Sequence, residues 1–381
     1  MDLFVGELPV WKGVQNKPGF ETLPFIFTTE LGIIRLKLPE KEVTQISDNY
    51  GKATYTFISS PPGTSAWGNR LGAFYFNFLK NWVGDLDQKD VLEIGSGTLY
   101  IGNRLINELD ARSFYACDPA LHTSCKNPKI TVCNDYFSYD AISSHKKTFD
   151  LIVSINNIEH IPDLSQYLND VRRFLLPVEG HFFIILPDCY RGFKTGDLGI
   201  CVHEHMSYFT PESLKFLLCT HGFEIEKIHS CEDTLFVLAR PSKSVNRYQE
   251  MEYDPLKEPE NLLKCFGEHL EDNLVFFSNL LSERRPKGPI AIHGCCVALN
   301  NILFLRPLYE SNGIFLFDGD TNKTGKFLPV FDKQIISSDD NQYHEMKTVI
   351  IAALTFYSEI SRDIKALHNI APENIFPMTP L

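Results

Sequence analysis

The stretch "VLEIGSGTLYIG", Val91 to Gly102, decides the fold. Its apolar start reads as a strand ending at Glu93-Ile94-Gly95. Gly95 and Gly97 then allow a tight turn and a close backbone approach to a ligand lying across the strand end. Asp118 closes the next strand, 21 residues after Gly97, where an acidic side chain accepts hydrogen bonds from both hydroxyls of a ribose. Dinucleotide enzymes share these features, but Leu99 interrupts the glycine pattern and no third glycine occupies the dinucleotide position.

Outward from this turn, the apolar strands "DVLEIG" (90–95), "SFYACD" (113–118), "KITVCN" (129–134), "FDLIVSI" (149–155) and "HFFIILP" (181–187) alternate with helical segments. That alternation signals an α/β fold, a doubly wound, Rossmann-like parallel sheet covered on both faces. "FEIEKIH" (223–229) and "TLFVLAR" (234–240) are too close for a crossover helix and read as a terminal hairpin. E-I-G-x-G, an acid on the second strand and a closing hairpin together point to S-adenosylmethionine as cofactor. Its expected ligands are Glu93, Gly95, Gly97 and Asp118, with Asp135 meeting the adenine amino group. Asn156, in "SINNIEHIPDL" (154–164), stands at another strand end and faces the same crevice, as does His160; Asn157 reads equally well as a helix cap.

The flanking segments divide the chain. Residues 1–64 read as an N-terminal cap of short strands closed by "SSPPGTS", and 65–243 as the cofactor domain. Residues 244–288 read as a bridging helix carrying Leu263, Phe266, Leu270, Leu274, Phe277 and Leu281 at helical spacing. A smaller α/β domain at 289–381 is built on "PIAIHG", "GIFLFD" and "KTVIIAAL".

Composition narrows the partners. The 381 residues carry 36 Lys+Arg and 48 Asp+Glu, a formal charge of −12, which repels nucleic-acid backbones. No segment approaches ~18 uninterrupted apolar residues and the start lacks a signal pattern, so a cytoplasmic protein that does not engage membranes is expected. The ten cysteines lack C-x-x-C spacing and read as reduced, buried small hydrophobes.

One cluster stands out chemically. In "CVHEHMSYF" (201–209), His203, Glu204 and His205 follow the fifth strand and so lie at the carboxyl edge of the sheet. Three adjacent titratable groups above a cofactor crevice suit general acid–base work; the plainer reading is that they brace the loop.

The chain resembles the nucleotide-ketosugar C-methyltransferases of deoxysugar biosynthesis. The resemblance rests on "HEHMSYF", "NNIEHIPDL", "IAIHGCCVALNN", "DGDTNKTGKFLP" and "IIAALTFYSEI", and runs from about Ser65 to the end. It implies a class I methyltransferase domain and a C-terminal domain holding a nucleotide-diphosphate sugar. By that resemblance Gly294, Asn300 and Lys323 contact the sugar nucleotide, as do His203 and Tyr208 in the H-E-H loop. Tyr50 and Tyr55, in "YGKATYTFISS", keep a substrate-lid role. The family's N-terminal zinc module is built on cysteine pairs, whereas here no cysteine precedes Cys117, so no metal is expected. Ala298 stands where the family has lysine, Thr355 replaces the asparagine before Glu359, and "CEDTLFVLA" lacks H-G-G-S, which points to an unusual substrate.

Methylation on carbon needs a carbanion equivalent. The candidate base is His205, with Glu204 as the alternative base or as its orienting partner, and His160 polarises the carbonyl. An O- or N-methyltransferase would need no enolising base, and a non-catalytic binding protein would turn over nothing; oligomeric state is open.

Overall fold

The computed structural model describes residues 1–51, 61–121, 125, 127–243, 253–308 and 311–380. Three sheets organise them.

The N-terminal strands β1 (Leu3–Pro9), β2 (Thr22–Glu30) and β3 (Ile33–Leu36) form an antiparallel meander. The helix Ala66–Val83 then starts where Ser65 caps it by accepting from the Gly68 N–H (3.0 Å).

The strands β4 (Asp90–Ile94), β5 (Ser113–Cys117), β6 (Ile130–Cys133), β7 (Leu151–Ile155) and β8 (His181–Pro187) pair in parallel in the order β6-β5-β4-β7-β8. All five residues of β4 are buried, as expected of a central strand covered on both faces. The chain leaves β4 toward β5 on one side and returns at β7 on the other, so a crevice opens at the carboxyl end of β4.

After β8 the two-residue strand β9 (Ser207–Tyr208) joins not this sheet but the edge of β3, with Ile34 opposite Tyr208 and Arg35 opposite Ser207. The N-terminal cap is therefore completed by the H-E-H loop. The hairpin β10 (Phe223–Cys231) and β11 (Thr234–Pro241) closes the seven-stranded sheet antiparallel to β8. Its turn residues Glu232 and Asp233 both adopt positive φ (50° and 53°), the conformation a two-residue hairpin turn demands.

The third sheet is parallel, in the order β14 (Ile335–Ser337), β13 (Ile314–Asp318), β12 (Ile290–His293), β15 (Thr348–Ile351), β16 (Ile375–Pro377). β14 and β16 have three residues each and were not expected from sequence, being too short for a periodic signal. The long helix Lys257–Arg284 buries Leu263, Phe266, Leu274, Phe277 and Leu281 in one apolar core with Phe25 and Phe27 of β2 and Ile290 and Ile292 of β12. That shared core fixes the N-terminal and C-terminal sheets against the H-E-H loop. Among the described residues no helix is long and apolar enough to cross a membrane.

Candidate active site

A cavity of about 650 Å³ opens at the carboxyl end of β4, bordered by Glu93, Gly95, Gly97, Asp118, Asn156 and Asn157 on one side and by Glu159, His160, Glu204 and His205 on another. The glycine loop has the geometry its sequence implies. Gly95 sits at φ 78°, and a Cβ there would lie 2.8 Å from the Asn157 side-chain oxygen; Gly97 sits at φ 49° with open space around it. Leu99 takes φ 60° at the start of the next helix, a left-handed conformation that costs a leucine about 1 kcal/mol or more. Asp118 accepts from the Gly97 N–H at Oδ2 (2.8 Å) and the Ala120 N–H at Oδ1 (2.8 Å), and each oxygen keeps a further lone pair for a ribose hydroxyl.

Below the loop, Glu93 is 3% exposed and its Oε2 has no partner. Burial, and then the Asp118 charge, push its carboxyl well above the usual range. A cationic sulfonium or ammonium in the cavity would compensate this carboxylate, so the residues present fit S-adenosylmethionine.

Across the cavity three groups converge. Glu159 is 2% exposed, neither carboxylate oxygen has a partner, and burial raises its carboxyl to about 8. His160 donates Nδ1–H to the Glu204 carbonyl (2.9 Å), while burial lowers the imidazole to about 4. The rings of His160 and His205 meet edge to face with centroids 4.9 Å apart. Burial, and then the His160 charge, hold His205 well below the ordinary value. For both rings burial disfavours the protonated form.

Positioning comes from outside the methyltransferase sheet. Arg35, opposite Ser207 on β3, donates to the Pro162 carbonyl (2.6 Å) and so fixes the segment carrying His160. Asn301, on the helix Val297–Leu305, donates to the carbonyls of Leu198 (3.1 Å) and Cys201 (3.2 Å), pinning the start of the H-E-H loop. Neither was expected; an arginine in an apolar strand was the available signal for the first. Glu159 was also missed, although it stands beside His160 between Ile158 and Ile161.

Several expected site residues lie elsewhere. Asp135 is exposed and outside the cavity wall, which Tyr136, Phe137 and Ser138 form instead, because the chain turns outward after β6. His203 is 1% exposed, packs edge to face on Phe25 (5.0 Å) and sets Nε2 3.3 Å from the Leu23 carbonyl. Only Glu204 and His205 of the triplet reach the cavity. Tyr208 spends its hydroxyl on the Val202 carbonyl (3.0 Å). Gly294, at φ 97°, is required by packing, since a Cβ would meet that of Ala353 at 2.9 Å. Asn300 is fully buried, and Lys323 is paired with Asp318 (2.9 Å); none of these three borders the cavity. Tyr55 lies outside the described residues, as does the side chain of Tyr50.

Two departures from the resembled motifs meet in space. Thr355 donates to Asp233 Oδ2 (2.5 Å), and Arg191 holds the same carboxylate with Nε on Oδ1 (2.9 Å) and Nη2 on Oδ2 (2.6 Å). Asp233 borders the cavity.

Residues 67–228 match the family model for a methyltransferase domain. The chain is also 34% identical over 86 residues to C-methyltransferase NovU of Streptomyces niveus, an alignment spanning 22% of this chain and 20% of that relative. The match thus spans about a fifth of the relative's length. Solved structures similar to it include an S-adenosylmethionine dependent methyltransferase from Mesorhizobium loti (16% identity, 43% of this chain and 96% of that one, TM-score 0.35). CalO1, a methyltransferase in calicheamicin biosynthesis in its SAH-bound form, is another (14% identity, 46% and 56%, TM-score 0.36). Residues 67–228 are a methyltransferase domain.

Proposed function

We propose that the enzyme methylates a nucleotide-linked ketosugar on the carbon next to its ketone, through an enolate. The observation that carries this reading is the pair of buried, ring-contacting histidines that border the same cavity as the glycine loop, beside Glu204. The similarity to NovU supports it. A base at Glu204 or His205 takes the proton from the carbon, leaving the electron pair shared with the ketone oxygen. When bound, S-adenosylmethionine supplies an electrophilic methyl, so that the new C–C bond forms as the S–CH3 bond breaks and S-adenosylhomocysteine is left. The base then returns its proton to solvent. Residues 1–64 and 289–381 act as the walls that hold the H-E-H loop over the domain formed by 65–243.

Electrostatics restricts how the substrate sits. Asp118, Asp163, Asp170 and Glu204 are among the acidic residues bordering the cavity, and among the described residues no lysine or arginine borders it. The sugar ring is the part that enters; a diphosphate stays outside, where the field is less negative. The same observation favours a second reading, an O- or N-methyltransferase for a small metabolite without phosphate.

Exchange of the substrate's C–H proton in deuterated water, followed by mass spectrometry over a panel of nucleotide ketosugars, separates the two. Exchange should occur in the wild type and fall at least ~10²-fold in Glu204→Gln or in His205→Asn, whichever residue is the base. Methyl transfer to an oxygen or nitrogen without exchange would replace this reading with the second.

A further inference from the structure

We infer that Glu159, His160 and His205 form a binding site for one divalent transition-metal ion, open toward the acceptor side of the cavity. The site is independent of the methylation chemistry, and only its role in enolisation rests on the reading above.

One donor atom from each residue lies within 4.8 Å of the others. The Glu159 Oε1 to His160 Nε2 distance is 3.9 Å. Ligand atoms around a tetrahedral ion with bonds near 2.0–2.1 Å stand about 3.3 Å apart, so side-chain adjustment of about an ångström closes the set. The His160 tautomer is already chosen. Its Nδ1–H is committed to the Glu204 carbonyl, which directs the Nε2 lone pair at the site, as a backbone carbonyl does behind metal-bound imidazoles. Glu159 gives the second, independent sign, being a carboxylate 2% exposed with both oxygens unpartnered. A buried carboxyl without a partner holds a proton or binds a cation; no lysine or arginine among the described residues borders this cavity, and a divalent ion ligated here would displace that proton.

Two imidazoles and one carboxylate suit zinc, iron(II), cobalt(II) or manganese(II), whereas calcium and magnesium prefer oxygen ligands. Three protein ligands leave positions open to the cavity, the arrangement of a catalytic rather than a structural ion. There the ion would hold the ketone oxygen, and the proton-accepting role falls to Glu204, because His205 is committed as a ligand. This site shares nothing with the cysteine module whose absence led to the expectation of a metal-free chain.

The test uses the full chain, stripped with chelator and titrated with cobalt(II) chloride, read by visible absorption and elemental analysis. One equivalent per chain with ligand-field bands is expected in the wild type. Glu159→Gln should lower cobalt affinity at least tenfold and His160→Asn should abolish the bands, while calorimetry shows S-adenosylmethionine still bound and the protein folded. Absence of a stoichiometric site in the wild type, or an unchanged site in Glu159→Gln, would overturn the inference. Proton exchange in the stripped protein separates the layers. Undiminished exchange without metal defeats the metal's role and leaves the enolate reading standing. Stoichiometric cobalt with no exchange on any ketosugar leaves the site standing and defeats that reading.

Discussion

In the seven-stranded sheet the Asp118 carboxylate accepts the N–H of Gly97 (2.8 Å) and that of Ala120 two residues ahead (2.8 Å). In the five-stranded sheet the Asp318 carboxylate accepts the N–H of Cys295 (2.8 Å) and that of Asp320 (2.9 Å). Each acid stands at the end of the second strand of a parallel run and ties down the loop after the first. They differ in what occupies the remaining lone pairs. Asp118 borders an open cavity beside two glycines, whereas Asp318 receives Lys323 Nζ (2.9 Å), which also donates to the Cys295 carbonyl (3.1 Å). One fold element, repeated, leaves its carboxylate open to a cavity in the first sheet and paired with a lysine in the second.

The largest effect should come from separating the second pair. Asp318→Ala strands a half-buried ammonium and frees the Cys295 loop, which should cost about 3–5 kcal/mol. Asp318→Asn combined with Lys323→Met should recover most of that loss. S-adenosylmethionine affinity of the folded fraction should not change in either variant. Urea unfolding monitored by fluorescence, alongside calorimetry, reads both quantities. Lost cofactor affinity in the double variant would mean that the two sheets are not functionally distinct.

The counterpart on the first sheet should act on binding rather than on folding. Asp118→Ala leaves two backbone N–H groups facing a cavity that water can reach and removes the acceptor for two ribose hydroxyls. Each charge-assisted bond is worth about 1.5–3 kcal/mol, so affinity should fall at least about tenfold while the unfolding midpoint moves less than in Asp318→Ala. Unchanged affinity in calorimetry would detach the ribose from Asp118.

The contrast was only half legible in the sequence. Gly95, Gly97 and Asp118 are read from residue types and spacing because a glycine turn and an acid at a strand end are local features. Gly294 and Asp318 carry the same local signal, but the contact by which Lys323 occupies the Asp318 carboxylate is one that spacing does not reveal. The H-E-H loop shows the same limit. His203, Glu204 and His205 are equivalent on paper, yet β9 pairs with β3 and turns His203 into the N-terminal sheet while His205 faces the cavity. Glu159 went unread because its importance lies in the absence of a partner, which only packing shows.

The smallest effect concerns Glu93, which has no counterpart in β12, a strand without acidic residues. Its carboxyl is raised by burial first and by Asp118 second, so the folded, empty protein holds a proton that the unfolded chain loses near pH 4.5. The sign follows: Glu93's contribution to the empty protein is fully present below that pH and is lost as pH rises through the raised value. A cofactor carrying positive charge into the cavity reverses this by favouring the carboxylate. Binding of S-adenosylmethionine should then release protons, and affinity should climb as pH rises toward the raised value, by less than the tenfold per pH unit that one full proton allows. S-adenosylhomocysteine, without the sulfonium charge, should show a shallower slope, and Glu93→Gln should flatten both. Calorimetry in buffers of different ionisation enthalpy counts the protons. Equal slopes for the two ligands would place the sulfonium away from Glu93, and a slope that survives Glu93→Gln would assign the proton to another group on the cavity wall.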